Sequence, residues 1–186
     1  MTTMTAKLPL ILALTLVASL ATACSQDSGT AAARSAPDPT QPATHQQLFA
    51  HYESLRSLLA NDRGKGVRAS AQAAQSIAGK LGKSATGAAA TRLSAVAAAA
   101  KKLAAIVESD LPALRLGFGD LSRALIDLVQ ADLAQADPTL AGTLHLFECP
   151  MAKGFKRWLQ PQAVLENPYM GQAMLSCGSE ITSKRP

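Results

Sequence analysis

Aromatic side chains are scarce: one tryptophan, two tyrosines and four phenylalanines in 186 residues. A β-sandwich or barrel fills its faces with aromatic and β-branched residues, so this poverty argues against either. Charge is sparse and nearly balanced, with 18 Lys and Arg against 13 Asp and Glu and a net +5. No basic run or stripe accompanies that excess, which leaves no electrostatic footprint for nucleic acid. Catalytic signatures are missing too: there is no H-E-x-x-H, no G-x-S-x-G and no G-x-G-x-x-G. Gly82-Lys83-Ser84 has the ending of a phosphate-binding loop, but Ile77 stands where that motif needs glycine, and no strand precedes it. No nucleotide is therefore expected. The histidines are scattered; His45 and His51 lie six apart on different helix faces and read as exposed helix residues. With no nucleophile–base or acid–base set in view, the chain does not read as an enzyme.

What the sequence has in quantity is alanine, about a fifth of all residues. Alanine is the strongest helix former and lets helices approach closely. Leu48, Tyr52, Leu55 and Leu59 recur at helical spacing from Thr44 or His45 to the 61–64 turn. A second helix over 66–81 carries Val67, Ala71, Ala74, Ile77 and Leu81 on one face, and 82–87 reads as a loop. A third, over 88–108, turns Leu93, Val96, Ala100, Leu103 and Val107 inward. Ser109 or Asp110 caps a fourth, with Pro112 in its first turn and a stripe of Leu114, Phe118, Leu121, Leu125, Leu128 and Leu133. Asp137-Pro138 closes it. The expected fold is mainly α: an antiparallel four-helix bundle with a small irregular C-terminal cap. In that cap 143–148 reads as a short strand, 154–160 as turn-rich, and 171–175 as one helical turn.

The N-terminus reads as an address. Lys7 precedes an apolar run of 13 residues, Leu8 to Leu20, too short to span a bilayer and matched to a signal-peptide core. Small residues then lead to Cys24, as in a bacterial lipobox, with Ala21 where leucine is usual. Residues 1–23 are expected to be removed and Cys24 lipidated; ordinary secretory cleavage after Ala23 is the plainer alternative. Ser25 after Cys24 resembles the signal for release to the outer membrane, which places the chain in the cell envelope, on the periplasmic face. Residues 24–44 hold Pro37, Pro39 and Pro42 with no apolar period, and form a flexible tether. The folded domain is then 45–180, with a polar tail at 181–186.

With Cys24 on a lipid, Cys149 and Cys177 remain, and two cysteines in an oxidising compartment default to one disulfide. A loop of that length contributes about 3.5 kcal/mol in the chain-entropy model. A second reading rests on composition. Met151, Met170 and Met174 lie in the last 36 residues, with Cys177 among them and Cys149 two residues before Met151. Thiolates and thioethers are the soft ligands that select Cu(I). Cys149 and Met151 are close along one segment, and Met174 and Cys177 are i and i+3, on one face of a helical turn. If the segments meet, these four compose a mixed site, to which His145, on the strand face of Phe147 and Cys149, and Met170 are lesser candidates. Disulfide, metal site and free thiols all stay open at this level. Asn167, Pro168, Tyr169 and Gly171 read as turn chemistry.

Cys149-Pro150-Met151, Trp158-Leu159, Asn167-Pro168-Tyr169, Gly171, Met174-Leu175 and Cys177-Gly178 together resemble a bacterial periplasmic domain family. That domain also occurs at the C-terminal end of some membrane-fusion adaptors of copper, silver and other heavy-metal efflux pumps. The segment from Phe118 to Ser122 is similar to the family's upstream helices, and the resemblance covers roughly 45–180. Met170 takes a place that is usually aromatic in the family. The resemblance implies a heavy-metal context, with metal-efflux components as partners beside the membrane itself. No adaptor hairpin or barrel region accompanies it, so the domain alone cannot bridge a pump.

Overall fold

The computed structural model describes residues 42–182, within the unit Thr40–Pro186. The signal segment, Cys24, most of the tether and the end of the tail lie outside the described residues.

Helix α1 (His45–Ala60) begins on a capping box. The Thr44 hydroxyl accepts from the Gln47 amide at 3.1 Å, and Gln47 Oε1 accepts from the Thr44 amide at 3.0 Å. Two amides that a helix start would leave unpaired are thereby satisfied. Helix α2 (Val67–Ser84) starts on Gly66, which has no side chain to offer. Glu108 serves instead, reaching across from the turn that precedes the fourth helix. Its carboxylate accepts from the amides of Gly66 at 3.0 Å and Arg68 at 3.1 Å, and it adds negative charge where the helix dipole favours it. Gly64 allows that approach, since a Cβ there would run into the Glu108 carbonyl.

Helix α3 (Gly87–Ala104) ends four residues short of the expected 108. The reason is Glu108: to reach α2 the chain must leave helical geometry after Ala104. Val107, expected inside, is 63% exposed as a result. Helix α4 (Leu111–Leu128) is capped by Asp110, which accepts from the Ala113 amide, with Pro112 in its first turn. It continues as a π-helical segment, Val129–Leu133, and the short α5 (Ala134–Ala136). Arg92 of α3 pairs with Asp132 of the π segment at 2.9 Å. Asp137 caps a further short helix, α6 (Pro138–Gly142), so Pro138 opens an element as well as closing one. The expected inward leucines of α1 and α4 are buried, and so are Ala71, Ala74 and Ala78 of α2 and Ala100 of α3, two helices that pack on each other. Helix α2 runs three residues beyond the expected 81, which reduces the loop to Ala85 and Thr86. His45 and His51 are half-buried rather than exposed.

The cap holds three strands where one was expected: β1 (His145–Glu148), β2 (Arg157–Gln160) and β3 (Ser179–Glu180). They form an antiparallel sheet in the order β2-β1-β3. Phe147 stands opposite Trp158 on one side and Glu180 on the other. The stretch expected to be turn-rich is thus half turn and half strand. Gly154, at φ 71°, allows the reversal, and Trp158, Leu159 and Gln160 are all buried, so β2 shows no alternation to read. The architecture is mainly helical with a small three-stranded antiparallel sheet, and β2 lies against α4. Among the described residues no helix is long and apolar enough to cross a membrane.

Candidate dithiol site

Cys149 follows β1 directly, its amide donating to the Lys156 carbonyl at 3.0 Å in the turn to β2. Cys177 follows a 3-10 turn, Gly171–Met174, its amide donating to the Met174 carbonyl at 3.0 Å. The two segments meet. The Cys149 and Cys177 sulfurs stand 3.2 Å apart, both as free thiols. That is shorter than the optimum of about 3.5–4.0 Å for a pair of carbons, although sulfur is the larger atom. Cys149 is fully buried, while Cys177 is half-buried. The hydrogen bond between the thiols, and then burial, push the Cys177 thiol up.

Several groups hold Cys177 in place. Asn167, fully buried, donates through Nδ2 to the Cys177 carbonyl at 2.6 Å. Its Oδ1 accepts from the amides of Tyr169 at 2.8 Å and Met170 at 3.1 Å, and its own amide donates to the Leu175 carbonyl at 2.7 Å. The turn chemistry read from Asn167-Pro168-Tyr169 is present, and it doubles as the clamp on the cysteine. Gly178 adopts φ 131°, and a Cβ there would lie 2.6 Å from the Glu148 carbonyl oxygen. Only glycine lets the chain after Cys177 press so close to the end of β1.

Below the thiols runs an aromatic stack. Phe147 stacks on Trp158 with centroids 5.6 Å apart, Trp158 meets Tyr169 edge-on at 5.8 Å, and Tyr169 meets Phe118 of α4 at 5.9 Å. Phe118 stacks in turn on Tyr52 of α1 at 5.1 Å. Each polar tip is satisfied. Trp158 donates to Gln160 Oε1, Tyr169 to the Arg157 carbonyl, and Tyr52 exchanges a hydrogen bond with Ser122 while accepting from the Leu159 amide. Burial pushes both tyrosine hydroxyls up, so both stay neutral.

The other predicted residues have distinct settings. Met151 is 58% exposed and Met174 is 38% exposed, two soft apolar side chains held in solvent beside the cysteines in sequence. Met170 is half-buried and packs on the core. His145 commits Nδ1 to Glu180 Oε1 at 2.8 Å across the sheet and lies beside the Phe147 ring. Among the described residues no three His, Cys, Asp or Glu side chains gather as one ligand set.

Sequence reasoning missed the polar locks that seat the cap. Arg56, buried in α1, donates to both Glu53 oxygens, to Glu166 Oε2 at 2.9 Å and to the Glu166 carbonyl. Burial opposes its charge, and the two carboxylates outweigh burial and hold the guanidinium pKa above its usual value. Asp62 takes the Arg115 guanidinium and the Gln172 amide. Gly171, at φ 60°, presses against that pair so closely that no Cβ fits. Apart from the i,i+3 pair of Arg56 and Glu53, no local signal marks these residues, because the other partners lie far along the chain; the glycine was the one visible hint.

Comparison of the chain with protein-family models, with curated proteins and with solved structures gives no match.

Proposed function

We propose that this chain is a non-enzymatic envelope lipoprotein, lipid-anchored through Cys24 at the periplasmic face of the outer membrane. Its four long helices form an antiparallel bundle carrying a soft-metal site in the cap, and its role is copper handling linked to heavy-metal efflux or homeostasis. The observation that carries this reading is the meeting of Cys149 and Cys177 at 3.2 Å. Exposed Met151 and Met174, close to them in sequence, offer thioethers for which a purely structural staple has no use. Two thiolates with one or two thioethers are a ligand set for Cu(I). The likeness of the 149–178 motif to the domain found on heavy-metal efflux adaptors supports the same reading.

The test is a Cu(I) titration of the reduced mature chain against a competing chelator. About one tightly held ion per chain is expected, lost in the Cys149→Ser, Cys177→Ser double variant and weakened in Met151→Leu, Met174→Leu. Equal, weak uptake by wild type and the cysteine variant overturns the metal reading.

A second reading is favoured by the same distance. A tetrahedral ion at about 2.3 Å from each sulfur would part the pair to about 3.8 Å, and 3.2 Å is shorter. On this reading Cys149–Cys177 is a stabilising disulfide, and the helices serve a structural or docking role in the envelope. Intact mass and thiol counting under non-reducing conditions separate the two; a complete, reduction-resistant disulfide favours the second.

A further inference from the structure

The two cysteines are not equivalent, and the difference gives them an order of reaction. Cys149 is fully buried behind β1, with Trp158 and Tyr169, themselves buried, in the core beneath. Cys177 is half-buried at the end of the 3-10 turn, in a segment of exposed residues that includes Ser176, Gly178 and Ser179. Thiol–disulfide exchange requires a thiolate to meet a disulfide sulfur in line, and access decides which sulfur reacts. A partner molecule can approach Cys177 from solvent. It cannot approach Cys149 without opening the cap. Cys149 nevertheless stands 3.2 Å from the sulfur that would carry any adduct.

We infer that Cys149 and Cys177 form a directional thiol–disulfide exchange site, in which Cys177 reacts with an external disulfide and Cys149 resolves the product. The co-reactant is a disulfide of small-molecule or oxidoreductase type. In the first step the Cys177 thiolate attacks one sulfur of R–S–S–R. The Cys177–S–S–R bond forms, the R–S–S–R bond breaks, and one thiolate leaves to take up the Cys177 proton. In the second, the Cys149 thiolate attacks the Cys177 sulfur, forming Cys149–S–S–Cys177 and expelling the second RS⁻, which takes up the Cys149 proton. Two electrons pass from the chain to the external disulfide, and two RSH are released. In the reverse direction an external thiol attacks Cys177, the exposed end of the disulfide, and Cys149 is the leaving group. The Asn167 bond to the Cys177 carbonyl keeps the second step short-range, because it holds Cys177 beside Cys149 while the adduct is present. This inference rests on the thiol pair alone and stands whether or not the pair also binds a metal.

The test uses the reduced chain with Cys24→Ser as background, so that two thiols remain, and glutathione disulfide as probe with no metal present. The parent should consume one glutathione disulfide, release two glutathiones and end lighter by two hydrogens, with no adduct accumulating. Cys149→Ser should trap a stable mixed disulfide on Cys177. Cys177→Ser should react at least tenfold more slowly, provided circular dichroism shows it folded. A measurement independent of variant folding accompanies these: limiting iodoacetamide on the reduced parent, with the modified peptide mapped by mass. Cys177 should exceed Cys149 in labelling by tenfold or more. Equal labelling, or a Cys149 adduct forming in folded Cys177→Ser as fast as the Cys177 adduct forms in Cys149→Ser, overturns the assignment.

Discussion

Helices α2 and α3 bury Ala71, Ala74, Ala78 and Ala100, side chains of a single methyl with no polar atom, all fully buried. In the cap the buried residues include Trp158, Phe147, Tyr169, Asn167 and Gln160, large or polar, each with a named ring or hydrogen-bond partner. The helical region is built by closeness, which costs no side-chain entropy at alanine and gains helix propensity. The cap has too little regular backbone to hold itself, with three strands of four, four and two residues, so specific side chains replace the missing ladders. One region should therefore fail when volume is added, the other when a partner is removed.

The largest effect is expected in the cap. Asn167→Ala leaves the Cys177 carbonyl and the Tyr169 and Met170 amides without their partner. A loss of about 3 kcal/mol is expected, since buried groups left unsatisfied cost about 1–3 kcal/mol each. Urea unfolding measures it, and a loss under about 1 kcal/mol would mean that water replaces the side chain and the clamp is loose. Ala100→Leu breaks the other side of the comparison. It inserts three carbons at a fully buried position of α3, and overpacking should cost about 2 kcal/mol; a neutral result in the same unfolding experiment would show slack around α3. The smallest effect has the opposite sign. Gly79 in α2 has no heavy atom within 4 Å of where a Cβ would stand. Gly79→Ala should stabilise the chain by about 0.5–1 kcal/mol through backbone entropy, read as a rise in Tm.

The same contrast explains what could be read in advance. Helix α1 and the start of α4 were legible almost to the residue because Thr44, Asp110 and Pro112 are local signals; the end of α4 at Leu128 was not, because the leucine spacing runs on through the π-helical segment to Leu133. The end of α3 was not, since Val107 continues the period in sequence while Glu108 is pulled away by amides forty residues earlier. Strand β2 was hidden because it is buried on both faces and has no period of two. The cysteines and methionines were visible as residue types, and the cysteines do meet. That Cys149 is closed and Cys177 open had no sequence signal. Asn167 holds the Cys177 carbonyl and Gly178 brings the chain against the Glu148 carbonyl, and both contacts join segments separated in sequence.

The cap is fastened to α1 by chain segments very distant in sequence. Tyr52 waits for the Leu159 amide 107 residues later, and Arg56 and Asp62 for partners 110 residues later. A chain that emerges N-terminus first presents α1 long before any of these partners exists. Through that interval Arg56 has only Glu53 nearby, and the far face of α1 has nothing to cover it. Closing loops of such length is an entropic toll on rate more than on final stability. The helices can gather on contacts between chain neighbours, while the seating of the cap needs partners more than 100 residues apart. Whatever acts on the two cysteines during biogenesis therefore meets them apart, and only the finished molecule brings them together.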